Sequence, residues 1–164
     1  MCPMGISCVK PPLTFIIKRG AFFPTSMHCR TSDSMRSTDP RAIVAGALQG
    51  IKRYALPDAV REDYLSCYEG DRFVESMRYV RSYPAQLPIL AGRLPGIFTP
   101  VQIITGRRDP LVPVANAEFL LARLPNSRLD VLEAGHFAWE EAPEQYGAIV
   151  TAWVNGGYLA GTTP

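Results

Sequence analysis

The sequence predicts an α/β protein in which a helical region precedes a parallel β-α-β-α unit. Three observations predict it. From Pro40 onward apolar residues recur at helical spacing, with Ile43, Val44, Ala47, Leu48 and Ile51 on one face. Two short β-rich runs, Val101 to Thr105 and Leu129 to Leu132, follow near the C-terminal end. An amphipathic helix of crossover length lies between them, and such a connection implies parallel pairing with a right-handed crossover.

The elements follow in order. Residues 1–39 read as an irregular N-terminal segment rich in Ser, Thr, Met and Cys, with room for one strand at 13–17. Asp39-Pro40 is an N-cap followed by proline at the first helical position, the start of a helical region over 40–94. A second helix is expected from Pro57 to Glu69, with Val60, Tyr64 and Tyr68 inward and Gly70 ending it. Asp71 caps a third, with Phe73, Val74, Met77 and Val80 aligned, which should end before Pro84. Gln86 to Leu94 is a fourth segment, interrupted by Pro88. The region 95–158 then carries the first strand, a helix from Ala115 to Leu124 stopped by Pro125, the second strand, and a last helix from Ala142-Pro143 to about Val154. Trp153 is expected in the core of that helix.

In parallel sheets chemistry gathers at the carboxyl ends of the strands. Asp109 and His136 each lie a few residues past such an end, 27 residues apart (136 − 109). A carboxylate can hold an imidazole in one tautomer and stabilise its charged form, and the imidazole can carry a proton near neutral pH. Gly135 is expected to let the chain turn sharply before the histidine, and Phe137 and Trp139 to give it an apolar wall.

The string Pro100 to Pro110 (PVQIITGRRDP) with Val112-Pro113, then Leu124-Pro125-Asn126-Ser127 and Gly135 to Pro143 (GHFAWEEAP), resembles the C-terminal part of the α/β-hydrolase fold family. The likeness covers roughly residues 97 to 155. It implies a partial α/β-hydrolase fold in which Asp109 is the acid of a nucleophile–His–Asp triad and His136 its general base. The stretch 40–94 is similar in length and position to the cap of the epoxide-hydrolase-like and haloalkane-dehalogenase-like branches. The activity implied is hydrolysis of an ester, epoxide or related small molecule, with no cofactor and no metal. The family's nucleophile sits on an elbow such as Gly-x-Ser-x-Gly upstream of the acid. Residues 1–108 contain no such string; Gly5-Ile6-Ser7-Cys8-Val9 comes nearest but lacks the second glycine, and Pro11-Pro12 block a following helix. The sequence is therefore expected to represent the C-terminal portion, with the N-terminal half and its elbow missing. An inactive remnant or interaction module is the alternative.

Composition narrows the partners. A hydrophobic content of 47% with 20% charged residues is that of a globular protein, and a net charge of +2 without a Lys/Arg run argues against nucleic acid. No apolar run approaches the roughly 20 residues that span a bilayer. Cys2, Cys8, Cys29 and Cys67 show no metal-ligand spacing and read as free thiols of a cytoplasmic protein. A small-molecule substrate is expected, together with self-association or a complementing N-terminal half. Glu140 and Glu141 read as helix-start residues favoured by the dipole. Tyr54, Tyr64, Tyr68, Phe73, Tyr79 and Tyr83 read mostly as core, and Asp33, Asp39 and Asp58 as turn or cap residues.

Overall fold

The computed structural model describes residues 39–156. The expected strand at 13–17 and the Ser7 string lie outside that range. Helix α1 (Pro40–Leu48) starts as its sequence dictates: the Asp39 carboxylate accepts the Arg41 N–H at 2.9 Å, and proline fills the first turn. Helix α2 (Asp58–Ser66) is shorter than the span to Glu69, and Gly70 takes φ +66° in the turn that follows it. The Arg41 guanidinium and the Glu62 carboxylate form two parallel hydrogen bonds of 2.8 Å between α1 and α2. That pair is exposed, so solvent screens it and it adds little to stability.

The third and fourth helical segments are one element. Helix α3 runs from Arg72 to Arg93 through both Pro84 and Pro88, so the expected stop before Pro84 is corrected. Each proline removes one helical hydrogen bond, but this part of the helix faces solvent, and water can take the freed carbonyls. The two ends are held by burial. Phe73, Val74 and Met77 form a buried cluster at one end, and Leu94, in a 3₁₀ turn (Leu94–Gly96), is 4% exposed at the other. Asp71 occupies the N-cap position but makes no side-chain capping bond.

Strand β1 (Val101–Gly106) pairs in parallel with β2 (Ser127–Leu132), in register from Val101 opposite Ser127 to Gly106 opposite Leu132. Between them lies α4 (Val114–Leu121), and after them α5 (Ala138–Glu141) and α6 (Pro143–Val154). The period-2 alternation of a strand separates two cores. Ile103 packs with Leu94, Ala117 and Leu124, whereas Ile104 packs with Leu132, Ala134, Ala138, Tyr146 and Ile149. Both faces are covered, which is why two isoleucines, Ile103 and Ile104, stand side by side in the strand. Each buried Leu or Ile in these clusters contributes about 1.5–3 kcal/mol, and the alanines less. Three expected core aromatics are corrected: Tyr79 is 70% and Tyr54 43% exposed, and Trp153 is only half-buried.

Among the described residues no helix is long and apolar enough to cross a membrane, and no group of three or more His, Cys, Asp or Glu could hold a metal ion.

Candidate active site

The loops that leave β1 and β2 are stitched together beyond the strands. The Arg107 N–H donates to the Leu132 carbonyl at 2.8 Å, and the Arg108 N–H to the Ala134 carbonyl at 3.0 Å. Glu133 accepts from the side chains of both Arg107 and Arg108, and its own carbonyl accepts from Arg108 at 3.2 Å and from Arg53 at 3.5 Å. Gly106 closes the seam: a Cβ there would lie 2.0 Å from the Gly135 carbonyl oxygen and 2.5 Å from that of Ala134. Only a glycine permits the two backbones to approach this closely.

This seam delivers Asp109 and His136 to one place. Asp109 Oδ2 and His136 Nδ1 are 2.8 Å apart. The other carboxylate oxygen, Oδ1, accepts the N–H groups of Leu111 (2.7 Å) and Val112 (2.8 Å), an Asx-type turn that fixes the side chain. The Asp109 side chain is 6% exposed and that of His136 31%. Burial alone would raise the carboxyl's pKa, but the hydrogen bonds from His136, Val112 and Leu111 and the attraction of the imidazole outweigh it. The pKa of Asp109 is therefore held below its ordinary value. An ionised Asp109 can only accept, so Nδ1 carries the proton and Nε2 is the nitrogen left for a reacting group.

Phe137 follows directly, 9% exposed, its ring edge-on to the His136 ring at 5.3 Å between centroids. It packs against Val44 and Leu48 of α1 and meets Tyr64 of α2 edge-on at 5.8 Å. Trp139 meets Phe137 edge-on at 5.5 Å and is 43% exposed. Its indole Nε1–H donates to the Tyr64 hydroxyl at 2.9 Å, which in turn donates to Glu140 Oε1 at 2.7 Å. Burial pushes the Tyr64 phenol up; its bond to Glu140 adds to that and the bond from Trp139 opposes it.

Gly135 has no positive φ. What it provides is space, because a Cβ there would meet Glu141 Oε1 at 2.6 Å and the Gly50 carbonyl at 3.2 Å. Glu141 accepts the Gly135 N–H at 2.9 Å. Sequence reasoning missed this contact and the Tyr64–Glu140 bond. Both glutamates do lie in the first turn of α5, but the partner of Glu141 is six residues back and that of Glu140 is 76 away, spacings that no periodicity exposes.

No protein-family model matches the chain. Over 81 residues it is 40% identical to the 2-hydroxy-6-oxononadienedioate/2-hydroxy-6-oxononatrienedioate hydrolase 2 of Pseudomonas putida, a match covering 49% of this chain and 27% of that protein. Over 60 residues it is 38% identical to the 3-oxoadipate enol-lactonase 2 of Acinetobacter baylyi, covering 37% of this chain and 22% of that one. Among solved structures, an esterase from Exiguobacterium antarcticum superposes with a TM-score of 0.62 at 19% identity, covering 76% of this chain and 46% of the esterase. A hydrolase from Pseudomonas aeruginosa gives 0.58 at 19% identity, covering 82% and 52%. The described residues carry part of the α/β-hydrolase fold, and the curated proteins that the chain resembles over shorter stretches are hydrolases. The matched stretches span about a quarter of the length of these curated relatives and about half that of the solved structures.

Proposed function

We propose that this chain supplies the acid and the base of a hydrolase acting on an ester or lactone bond of a small organic molecule. The nucleophile comes from outside residues 39–156. The observation that carries the reading is the 2.8 Å contact between a buried carboxylate and His136 Nδ1, built where two parallel strands end. The kinship with an esterase and an enol-lactonase favours the carboxylic ester class.

His136 Nε2 removes the proton from the nucleophile as it bonds to the substrate's carbonyl carbon. The same proton then passes to the departing alkoxide as the ester C–O bond breaks. In the second half His136 takes a proton from water, whose oxygen attacks the acyl carbon, and returns it to the nucleophile as the acid product leaves. Asp109 stays ionised throughout and stabilises the imidazolium at each stage. The chemistry calls for no metal or organic cofactor. Residues 40–94 act as a cap, a role supported by the packing of α1 and α2 on Phe137, immediately after the base. A cytoplasmic location fits this use of small-molecule substrate.

The experiment is turnover of a panel of short-chain chromogenic esters and lactones by the purified full chain, beside His136→Ala. Hydrolysis that disappears in the variant supports the reading. Hydrolysis that persists in the variant overturns the role given to His136.

The sheet favours a second reading for how the chain works. Among the described residues β1 and β2 pair only with each other, so each keeps an outer edge that another strand could join. A polypeptide bearing the nucleophile would then complete the site, whereas a second copy would cover the open edge. Light scattering of the purified chain tests self-association directly: a dimer supports that route, and a monomer at all concentrations removes it.

A further inference from the structure

We infer that Glu141 is the positioning residue for His136, acting through the peptide that precedes the base. The inference rests on the reading of His136 as the base, and it concerns what holds that base in place.

The Gly135 peptide is confined on several sides. Its N–H donates to Glu141 Oε1 at 2.9 Å. Its carbonyl lies against Gly106, so close that a Cβ on Gly106 would fall 2.0 Å from it. On its Cα the room for a side chain is taken by the same Glu141 oxygen and by the Gly50 carbonyl. Gly135 is buried, so its N–H has no ready exchange for water, and a carboxylate is the strongest acceptor a side chain can offer it. Glu141 is itself held by α5, where its N–H donates to the Phe137 carbonyl at 3.0 Å. A short helix that begins beside the base thus reaches back and grips the residue before it. The imidazole orientation is then set from two ends, by Asp109 on the ring and by Glu141 on the backbone. Glu140 next door does something different: it accepts from Tyr64 and ties α2 to α5.

Proton NMR of the full chain tests this without requiring turnover, so an inactive chain leaves the inference standing or falling by itself. Two signals are read: the downfield Nδ1 proton of His136 and the exchange rate of the Gly135 amide. In Glu141→Ala the amide should exchange at least about tenfold faster, the loss of one charge-assisted bond, and the His136 signal should broaden or move upfield. Glu141→Gln retains an accepting oxygen and should restore the His136 signal, with the Gly135 amide moved upfield by the loss of charge. Glu140→Ala removes the same charge one position away and should leave both signals in place. Wild-type signals in Glu141→Ala overturn the inference, as does equal disturbance by Glu140→Ala or loss of the His136 signal in Glu141→Gln. If Glu141→Ala does not fold, the Gln variant decides: an unmoved Gly135 amide overturns the inference.

Discussion

Replacing Gly106 by alanine should separate the two loops on which the proposed chemistry depends. The added Cβ would sit 2.0 Å from the Gly135 oxygen, 2.5 Å from the Ala134 oxygen and 2.9 Å from the Ala134 carbonyl carbon, whereas real Cβ contacts essentially never fall under 3.0 Å. The loop before His136 must therefore retreat by about 1 Å (3.0 − 2.0), and because the obstacle is backbone no rotamer change relieves it. Overpacking of this kind costs typically 1–3 kcal/mol, and three backbone atoms at once argue for the upper end, about 3 kcal/mol. At about 2–4 °C per kcal/mol for a chain of this size, the midpoint of thermal unfolding should fall by about 6–12 °C. The same displacement acts on the 2.8 Å Asp109–His136 bond. A misplacement of about 1 Å can cost about 100-fold in rate. Thermal unfolding by circular dichroism, with the His136 Nδ1 proton followed by NMR, measures both consequences. An unfolding midpoint within about 2 °C of wild type, together with an unchanged Nδ1 signal, would refute the reasoning.

Gly147 is the contrasting case. It is exposed within α6 and a Cβ there meets nothing within 4 Å, so Gly147→Ala should stabilise by about 0.5–1 kcal/mol in denaturant unfolding. Tyr64→Phe removes the hydroxyl that links Trp139 to Glu140 and should cost about 1 kcal/mol, with a change in tryptophan emission; an unaltered emission spectrum would argue against the bond. Asp109 has a folded-state pKa below its unfolded one, so its charge stabilises the fold above the ordinary carboxylate pKa, about 4, and that contribution is lost as pH falls through the lower folded value. The stability difference between wild type and Asp109→Asn should therefore be constant from about pH 5 upward and shrink below about pH 4. A difference that grows on acidification has the wrong sign for this account.

How much of this was legible in the sequence depends on how local the signal was. The parallel pair β1 and β2 was, because Val101 to Thr105 and Leu129 to Leu132 are β-rich, bounded, and separated by a crossover-length helix. Asp39 as a cap was, because capping is settled within three residues. Asp109 and His136 were placed by their positions after the strands, and the structure brings them into contact. The course of α3 through Pro84 and Pro88 was not legible. A proline rule weighs the lost bond, whereas the helix is held at its ends by Phe73, whose cluster includes Ile43 of α1, and by Leu94, which packs with Ile103, Ala117 and Leu124. The needs of Gly106 and Gly135 were hidden for a similar reason: each is defined by an atom across the seam, not by its own φ. Glu141 was visible as a charge at a helix start, and its partner was not.

The account stands on the claim that Asp109 holds His136 in its working tautomer. The His136 Nδ1 proton in Asp109→Asn tests that most directly, since asparagine can still accept the Leu111 and Val112 N–H groups and keep the loop folded. The account predicts loss of the downfield Nδ1 signal, because the amide N–H₂ donates to that nitrogen and reverses the tautomer, with the fold intact by circular dichroism. A wild-type Nδ1 signal in Asp109→Asn would contradict it.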